Sequence, residues 1–221
     1  MNKYRFLKII FTVIIRLLTK TEVRGTEYIP QDIPFILAVN HLTILESPVL
    51  FVVLPVKQVT VLVARKWEKH LLNGWLIKSV EGIFVNRDEI DRQALQAALD
   101  VLKAGGILGM APEGTRSRTD GLIRAKAGIA YLATKANVPV LPIGISGQKD
   151  FMQKFKRLRR PHLLVNIGEP ICLPSVIGPN RGRRLQKYAD EIMVAIARLI
   201  EPELRGVYAA AAEATLPSKF Q

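Results

Sequence analysis

Two short segments of the chain carry the residue types that proton transfer and anion binding require. The first, Asn40–Glu46, offers the imidazole of His41 and, five positions later, the carboxylate of Glu46. An imidazole that a carboxylate holds through one ring nitrogen can take a proton from a hydroxyl group with the other. The segment therefore indicates general-base chemistry on an alcohol.

The spacing of His41 and Glu46 restricts where the two residues can lie. Five positions along a helix rotate a side chain by about 500°, which leaves the pair about 140° apart rather than on one face. They can meet only if His41 lies in a loop and Glu46 turns back from the start of a helix. Ser47 and Pro48 suit the cap and first turn of such a helix. A surface histidine near an unrelated glutamate is the alternative interpretation.

The second segment, Ala111–Ser117, reads Ala-Pro-Glu-Gly-Thr-Arg-Ser. Gly114 permits a tight turn with a positive φ angle and a close approach of the backbone. The guanidinium of Arg116 fits a phosphate group as a planar fork, and the hydroxyl of Thr115 can donate to its oxygens. The segment lacks the glycine and lysine order of a Walker loop. A solvated turn with a Glu113–Arg116 ion pair is the alternative.

The order of apolar runs predicts an α/β fold with a mixed, largely parallel sheet flanked by helices. The predicted strands are Phe35–Val39, Val59–Ala64, Gly82–Asn86, Ile107–Ala111, Val140–Ile145 and Leu163–Ile167. The predicted helices are Ser47–Leu54, Trp67–Ser79, Ile90–Lys103, Ala125–Ala136 and Gly182–Ile200. The segments Asn40–Glu46 and Ala111–Ser117 directly follow predicted strands, and so does Arg87. Functional sites in such folds lie at the ends of strands.

The bulk composition narrows the class of protein. A chain of 221 residues is long enough for one domain with a full core. Its net charge of +13 suits nucleic acid, an anionic membrane or an acidic substrate. Nucleic acid is not expected as a partner, because aromatic residues are sparse and no RNA-reading motif, zinc finger or basic helix-turn-helix pattern is present. The single cysteine, Cys172, excludes an intramolecular disulfide framework and a cysteine-rich metal site.

The N-terminal residues 1–20 have the pattern of an amphipathic helix. Apolar side chains from Phe6 to Leu18 are flanked by five cations, Lys3, Arg5, Lys8, Arg16 and Lys20. Such a segment suits a helix that lies in the head-group region of a membrane. Arg16 interrupts the apolar run, and no small-residue cleavage site of a signal peptide follows it. A helix that covers the core of its own protein is the alternative.

Four segments of the chain, in this order, resemble those of the glycerolipid acyltransferase family, and most closely its bacterial 1-acylglycerol-3-phosphate acyltransferases. The family pattern is Asn-His-x4-Asp, Gly-x-Ile-Phe-x-x-Arg, Phe-Pro-Glu-Gly-Thr-Arg-Ser and Val-Pro-hydrophobic-x-Pro. Here the segments stand as Asn40–Glu46, Gly82–Arg87, Ala111–Ser117 and Val138–Pro142. The resemblance implies a domain division into a membrane-interfacial helix (1–20), an acyltransferase domain (21–205) and a C-terminal tail (206–221).

The resemblance also implies a reaction. A fatty acyl group would pass from acyl-CoA or acyl-carrier protein to the free hydroxyl of 1-acylglycerol 3-phosphate, giving phosphatidic acid at the cytoplasmic face of the cell membrane. No metal or organic prosthetic group is implied. His41 would be the general base with Glu46 as its partner. The residues implied to hold the phosphate of the acceptor are Arg87, Glu113, Gly114, Thr115 and Arg116.

The chain departs from the family pattern at two positions. Glu46 stands where the family has aspartate, and its extra methylene must be absorbed by a different backbone or rotamer. Ala111 replaces the usual phenylalanine before Pro112, which leaves room for a differently shaped pocket.

Other features leave partners and reactions open. A basic cluster with interleaved apolar residues suits an anionic membrane or an acidic acyl-carrier protein, and a solvated loop is its alternative. Its members are Lys149, Phe151, Met152, Lys154, Phe155, Lys156, Arg157, Leu158, Arg159 and Arg160. The rival functions are transfer to another lysolipid or to glycerol 3-phosphate, a serine lipase with its nucleophile near Gly144–Gly147, and a non-catalytic membrane-binding scaffold.

Overall fold

A computed structural model of the chain describes residues 3–43, 46–55, 58–79, 81–87, 89–119, 121–148, 151, 154, 157 and 159–214. Within these residues, seven strands form one sheet and seven α-helices cover it. The strands are β1 (Lys20–Arg24), β2 (Phe35–Val39), β3 (Val59–Ala64), β4 (Ile83–Val85), β5 (Ile107–Met110), β6 (Val140–Ser146) and β7 (His162–Ile167). The helices are α1 (Lys3–Leu18), α2 (Glu46–Val53), α3 (Leu71–Ser79), α4 (Arg92–Lys103), α5 (Gly128–Ala136), α6 (Arg181–Arg198) and α7 (Ala209–Glu213).

The sheet has the strand order β1-β7-β6-β2-β5-β3-β4. Every neighbouring pair is parallel except β6 with β7. The predicted mixed, largely parallel sheet is therefore confirmed. Because β2 to β6 all run in one direction, their carboxyl ends meet at the same edge of the sheet, which is where ligands bind in folds of this kind.

The sheet separates two apolar layers, and the alternation along β2 shows how one strand contributes to both. Ile36 and Ala38 are buried against α4, α5 and α6 on one face, whereas Phe35 and Leu37 are buried with α1 and α2 on the other. Successive side chains of a strand point to opposite faces, so a strand that is covered on both sides must be apolar throughout. This is why the sequence of β2 shows no polar residue.

Helix α1 has two apolar faces. Tyr4, Leu7 and Ile15 are buried, and the ring of Tyr4 contacts Phe51 of α2 edge-on with 4.9 Å between centroids. The opposite face leaves large apolar side chains exposed, which are Phe6, Ile9, Ile10, Val13, Ile14 and Leu17. The helix thus covers the core and also presents an unpaired apolar surface. No helix in the described part of the chain is both long and apolar enough to span a bilayer.

The C-terminal residues that the structure describes, up to position 214, hold the loop that precedes α5. Leu122 donates its backbone N–H to the carbonyl of Leu204 at 2.9 Å. The buried hydroxyl of Tyr208 accepts from the backbone N–H of Ala125 at 2.9 Å and donates to Asp190 of α6 at 2.7 Å. These contacts fix the chain directly after the Ala111–Ser117 turn.

Several predicted elements differ from the observed ones. The sequence analysis missed β1, an edge strand of mostly polar residues that pairs with β7 alone, because it has no apolar run. The helix predicted from Trp67 begins only at Leu71, since residues 65–67 form a 3-10 turn. The helix predicted from Ala125 begins at Gly128. The other predicted elements end within two residues of the observed ends. Half of the basic cluster, residues 149, 152, 155, 156 and 158, lies outside the described residues.

Candidate active site

The segments singled out by the sequence gather at the carboxyl edge of the sheet. His41 follows β2, Arg87 follows β4, and the Ala111–Ser117 turn follows β5. A further polar residue, Gln148, follows β6. The parallel strands β2, β4, β5 and β6 thus deliver these side chains to one edge of the sheet, although the residues are far apart in the chain.

Asn40 anchors the end of β2 to its neighbour β6. Its side-chain amide donates to the carbonyl of Ile145 at 3.0 Å and accepts from the backbone N–H of Ile145 at 2.8 Å. Asn40 is fully buried, and both ends of its amide are paired. The side chain behaves as an extra peptide group of the sheet ladder, so the backbone just before His41 has a fixed position.

His41 and Glu46 come together in the arrangement that their spacing requires. His41 lies in the loop after β2, and Glu46 is the first residue of α2, with its side chain turned back towards the loop. The ring Nδ1 of His41 lies 3.5 Å from Oε2 of Glu46. This separation is at the outer limit of a hydrogen bond, and such contacts tighten when a substrate binds. The imidazole is 23% exposed and the carboxylate 1%, so the ring reaches the surface while its partner does not.

The two oxygens of the Glu46 carboxylate have different surroundings. Oε1 accepts from the backbone N–H groups of Leu42 and Thr43 at 3.2 and 2.7 Å, and from the Thr43 hydroxyl at 3.1 Å. The amide of Gln148 adds a fourth donor at 3.3 Å. Oε2 is buried and faces the His41 ring, and it accepts no well-formed hydrogen bond from a described residue. The donors therefore hold one oxygen so that the other is directed at the imidazole.

These contacts also keep Glu46 ionised. Burial alone would raise the pKa of Glu46, but the contact with His41 and the backbone N–H of Thr43 outweigh it, so the pKa lies below its usual value. A charged carboxylate beside Nδ1 stabilises the imidazolium and selects the tautomer that leaves Nε2 to accept a proton.

Glu113 joins the Asn40–Glu46 segment to the Ala111–Ser117 turn. Its Oε1 accepts from the backbone N–H of His41 at 2.7 Å, and its Oε2 accepts from the N–H of Ile123 at 3.2 Å. The backbone N–H of Ser117 in turn donates to the carbonyl of His41 at 2.9 Å. The main chain of His41 is thus gripped from both sides by the turn after β5.

The Glu113 carboxylate is almost fully buried, and this affects its ionisation. Burial raises the pKa of Glu113 to about 7, although the N–H groups of His41 and Ile123 act in the opposite direction. The solvated ion pair between Glu113 and Arg116, considered as an alternative, is absent from the described residues. Glu113 therefore lies beneath the turn rather than on its surface.

The turn itself is tightly packed at Gly114, which has a φ of +69°. This backbone conformation would be strained with any side chain, and a Cβ atom here would lie 2.8 Å from Cδ of Lys126 and push that side chain aside. The ammonium of Lys126 then donates to the carbonyl of Arg87 at 3.0 Å. The side chain of Lys126 links the Gly114 turn to the loop after β4, and so brings the two arginine segments together.

The cationic residues of the two segments are differently placed. Arg87 is half-buried, and burial lowers the pKa of its guanidinium from the usual value. Thr115 and Arg116 are exposed at the turn, and neither side chain makes a hydrogen bond or ion pair with another described residue. The guanidinium of Arg116 therefore has its donors available for an anion.

Some residues of this site were not predicted to belong to it. Lys126 was not predicted as a site residue, because its proximity to Arg87 depends on the fold. Gln148 carries no sequence signal at all, because it is 102 positions from Glu46 and belongs to no recognisable motif. Asn40 belongs to a predicted segment, but its pairing with Ile145 becomes evident only from the neighbouring strands.

A comparison with known protein families identifies the family of this chain. The family model described as Acyltransferase matches residues 20–146, which is more than half of the chain. The chain belongs to the acyltransferase family. This acyltransferase is 24% identical over 168 residues to a 1-acyl-sn-glycerol-3-phosphate acyltransferase of Bacillus subtilis, with 76% of this chain and 82% of the relative covered.

A mammalian relative and a crystal structure also resemble this chain. The 1-acyl-sn-glycerol-3-phosphate acyltransferase alpha of Mus musculus is 30% identical over 143 residues, which is 62% of this acyltransferase and 49% of the relative. The chain thus spans about half the length of that mammalian protein. The crystal structure of the 1-acyl-sn-glycerophosphate acyltransferase PlsC from Thermotoga maritima superimposes with a TM-score of 0.64 at 26% identity, with 86% of this chain and 77% of that chain covered.

The raised pKa of Glu113 predicts a pH-dependent difference in stability between wild type and Glu113→Gln. The folded protein binds the Glu113 proton more tightly than the unfolded chain does, so the free energy of unfolding of wild type relative to the variant falls as the pH rises from about 4.5 to about 7. A pKa rise of this size corresponds to a fall on the order of 3 kcal/mol.

Urea unfolding of both proteins across this pH range measures the difference directly. Glu46, whose pKa is lowered, is present in both proteins, so its contribution cancels. Two pH profiles that run parallel would show that Glu113 does not carry the raised pKa.

Proposed function

We propose that this acyltransferase transfers a fatty acyl group from a thioester to the free hydroxyl of 1-acyl-sn-glycerol 3-phosphate and so forms phosphatidic acid. The proposal rests on the direct contact between the loop that contains His41 and the Ala111–Ser117 turn. His41 faces Glu46 at 3.5 Å, and its backbone is hydrogen-bonded to Glu113 and Ser117 of the turn that bears Arg116. A base held beside a cationic turn suits an acceptor whose hydroxyl and phosphate belong to one small molecule.

In the proposed reaction, Nε2 of His41 takes the proton of the acceptor hydroxyl while Glu46 stabilises the resulting imidazolium. The alkoxide oxygen attacks the thioester carbonyl and forms the new ester bond. The carbon–sulfur bond then breaks, and the imidazolium returns the proton to the leaving thiolate. No acyl-enzyme is needed, and either acyl-CoA or acyl-carrier protein would serve as donor.

We assign the phosphate of the acceptor to the arginines that follow β4 and β5. Arg116 and Thr115 supply free donors on the exposed turn. Arg87 supplies a second, half-buried guanidinium, and its backbone carbonyl accepts a hydrogen bond from the ammonium of Lys126. Gly114 allows the tight packing of the turn. Glu113 contributes to phosphate binding by holding this turn against His41, because both of its oxygens already accept backbone N–H groups.

The rival functions have less support in the site. Ser146, the serine of the near-match to a lipase motif, lies within β6 and is 1% exposed, whereas a lipase nucleophile projects from a sharp turn. A scaffold without catalysis has no need of a buried ionised glutamate directed at an imidazole, since a buried charge is costly to maintain. The arginines favour a phosphorylated acceptor over a lysolipid without phosphate.

We also propose that the enzyme lies on the cytoplasmic face of a membrane, with the exposed face of α1 in the head-group region. Leu17 is 68% exposed and Val13 52%, and both belong to a continuous apolar surface. Lys8 is not among the free cations of this helix, because its ammonium donates to the carbonyl of Leu54 at 2.9 Å. Arg16 and Lys20 are exposed and are available for anionic head groups.

The proposed reaction is tested most directly with His41→Ala. Loss of the base should reduce transfer from labelled acyl-CoA or acyl-carrier protein to 1-acyl-sn-glycerol 3-phosphate by about 10²- to 10⁴-fold without lowering the melting temperature. His70→Ala is the matched control, since His70 is exposed and contacts only Trp67 among the described aromatic residues. The mechanism is overturned by an active His41→Ala variant. Release of free fatty acid from phospholipid by wild type would favour the lipase, and vesicle binding without turnover would favour the scaffold.

Arg116→Ala and Arg87→Ala should each raise KM for the phosphorylated acceptor much more than KM for the thioester. The charge-assisted hydrogen bond of one arginine to phosphate is worth about 1.5–3 kcal/mol, which corresponds to about 10- to 150-fold. Initial rates measured against each substrate in turn separate the two KM values. Arg24→Ala, on the edge strand, controls for a general loss of positive charge. Equal changes in both KM values would assign the arginines a structural role.

The double variant Val13→Asp/Leu17→Asp should weaken binding to anionic vesicles while leaving the fold intact. Point substitutions are preferable to deletion of residues 1–20, because deletion would also remove the buried side chains of Leu7 and Ile15. Co-sedimentation with phosphatidylglycerol vesicles measures the binding, and rising salt should weaken what remains. Asp substitution of Tyr28 and Ile33, exposed apolar residues outside α1, is the control. Unchanged vesicle binding by the α1 variant would place the membrane contact elsewhere.

A further inference from the structure

Gln148 is a buried polar residue at the carboxyl end of β6 that the proposed mechanism does not yet use. Its side chain is 3% exposed. Nε2 lies 3.1 Å from the carbonyl of Ile145 and 3.3 Å from Oε1 of Glu46. The amide thus spans from the end of a central strand to the first residue of α2.

The backbone before Gln148 explains how its side chain reaches the site. Gly147 has a φ of +84°, and a Cβ atom there would lie 2.0 Å from the carbonyl oxygen of His162 in β7. Only glycine can bring the chain this close to β7 in this conformation. The turn sends Gln148 back over the sheet edge towards Glu46 instead of onwards into solvent.

The orientation of the Gln148 amide is determined by its neighbours. Both acceptors, the Ile145 carbonyl and Glu46 Oε1, lie on the side of Nε2. A flipped amide would place its oxygen against both of them. The cost of the observed orientation is that Oε1 of Gln148 is buried without a hydrogen-bond donor in the described part of the chain.

We propose that Gln148 is a positioning residue for the His41–Glu46 pair, and that it fixes the longer carboxylate of glutamate where the family pattern has aspartate. Glutamate has one more rotatable bond than aspartate, so its carboxylate needs a lateral contact to hold one orientation. The Gln148 amide supplies this contact at Oε1. Oε2 is then kept facing Nδ1 of His41. The inference rests on the proposed function of the pair.

Two substitutions of Gln148 test the role, with Ser146→Ala as the matched control. Gln148→Leu removes the donor but keeps the volume. Gln148→Glu keeps the shape, and its neutral carboxyl can donate a hydrogen bond to Glu46 in place of Nε2. Ser146 lies two positions away on the same strand end, and its buried hydroxyl pairs with no described group, so its removal should change nothing at the pair.

Gln148→Leu should lower kcat for acyl transfer by about 10- to 100-fold while KM for donor and acceptor stays within about twofold, because only the alignment of the base is lost. In a Glu46→Gln background, the same substitution should produce no further loss, since its effect passes through Glu46. An equal loss in both backgrounds, or a change confined to KM, would overturn the proposal. So would a Gln148→Leu variant that is as active as Ser146→Ala.

Gln148→Glu should add a new alkaline limb to the pH profile of kcat. Among the described residues, the titratable group that Gln148 contacts is Glu46 on α2, and the charged or titratable groups that act on Glu46 or lie next to it are His41 after β2 and Glu113 after β5. Next to the ionised Glu46, the pKa of the new carboxyl should lie above its usual value. The protonated group can then donate a hydrogen bond to Oε1 of Glu46. As the pH rises and this proton is lost, two carboxylates repel each other and activity should fall below wild type. A profile parallel to wild type at every pH would exclude the contact.

NMR titration of the His41 ring separates this inference from the proposed reaction. Gln148→Glu should add a titration step to the His41 resonances that wild type and Ser146→Ala lack, whereas His70 and His162 should not change. This readout requires no turnover. Absence of acyl transfer by wild type would overturn the proposed function, and absence of the added step would overturn the role of Gln148.

Discussion

The rest of the site depends on the hydrogen bond between the Glu113 carboxylate and the backbone of His41. The carboxylate lies beneath the turn after β5 and accepts the backbone N–H of His41, from the loop after β2, at 2.7 Å. The carboxylate is a side-chain acceptor that replaces backbone pairing beyond the ends of the strands, where the sheet ladder stops. Together with the hydrogen bond from the Ser117 N–H to the His41 carbonyl, it joins the His41 loop to the cationic turn, which would otherwise be two independent loops at one sheet edge. The position of His41 is therefore set by the strand that carries Arg116.

Buried polar side chains extend this principle around the sheet edge. Asn40 continues the ladder between β2 and β6, and Gln148 reaches from β6 to Glu46. Each of these groups is fixed by backbone atoms, which are the most rigid partners that a fold provides. The imidazole is therefore oriented by contacts that trace back to three neighbouring strands rather than to loop conformation alone.

The sequence predicted what depends on local pattern and could not predict what depends on packing. The apolar runs located β2 and β3 to the residue, because β2 is buried along almost its whole length and β3 is rich in β-branched residues. The spacing of His41 and Glu46 led to the correct arrangement of loop and helix start. The polar edge strand β1 gave no such signal. The position of Gln148 depends on the antiparallel return of β7 past Gly147, which no short-range pattern encodes.

Helix α1 would couple the proposed membrane contact to the helix that begins with Glu46. One face of α1 packs on α2, whose first residue is Glu46, and the opposite face is apolar and exposed. With that face in a bilayer, the acceptor would arrive by lateral diffusion in two dimensions while the thioester arrives from water. The rate would then follow the mole fraction of lysolipid in the surface, not its amount per volume. Dilution of the surface with inert lipid would slow the enzyme at constant total substrate.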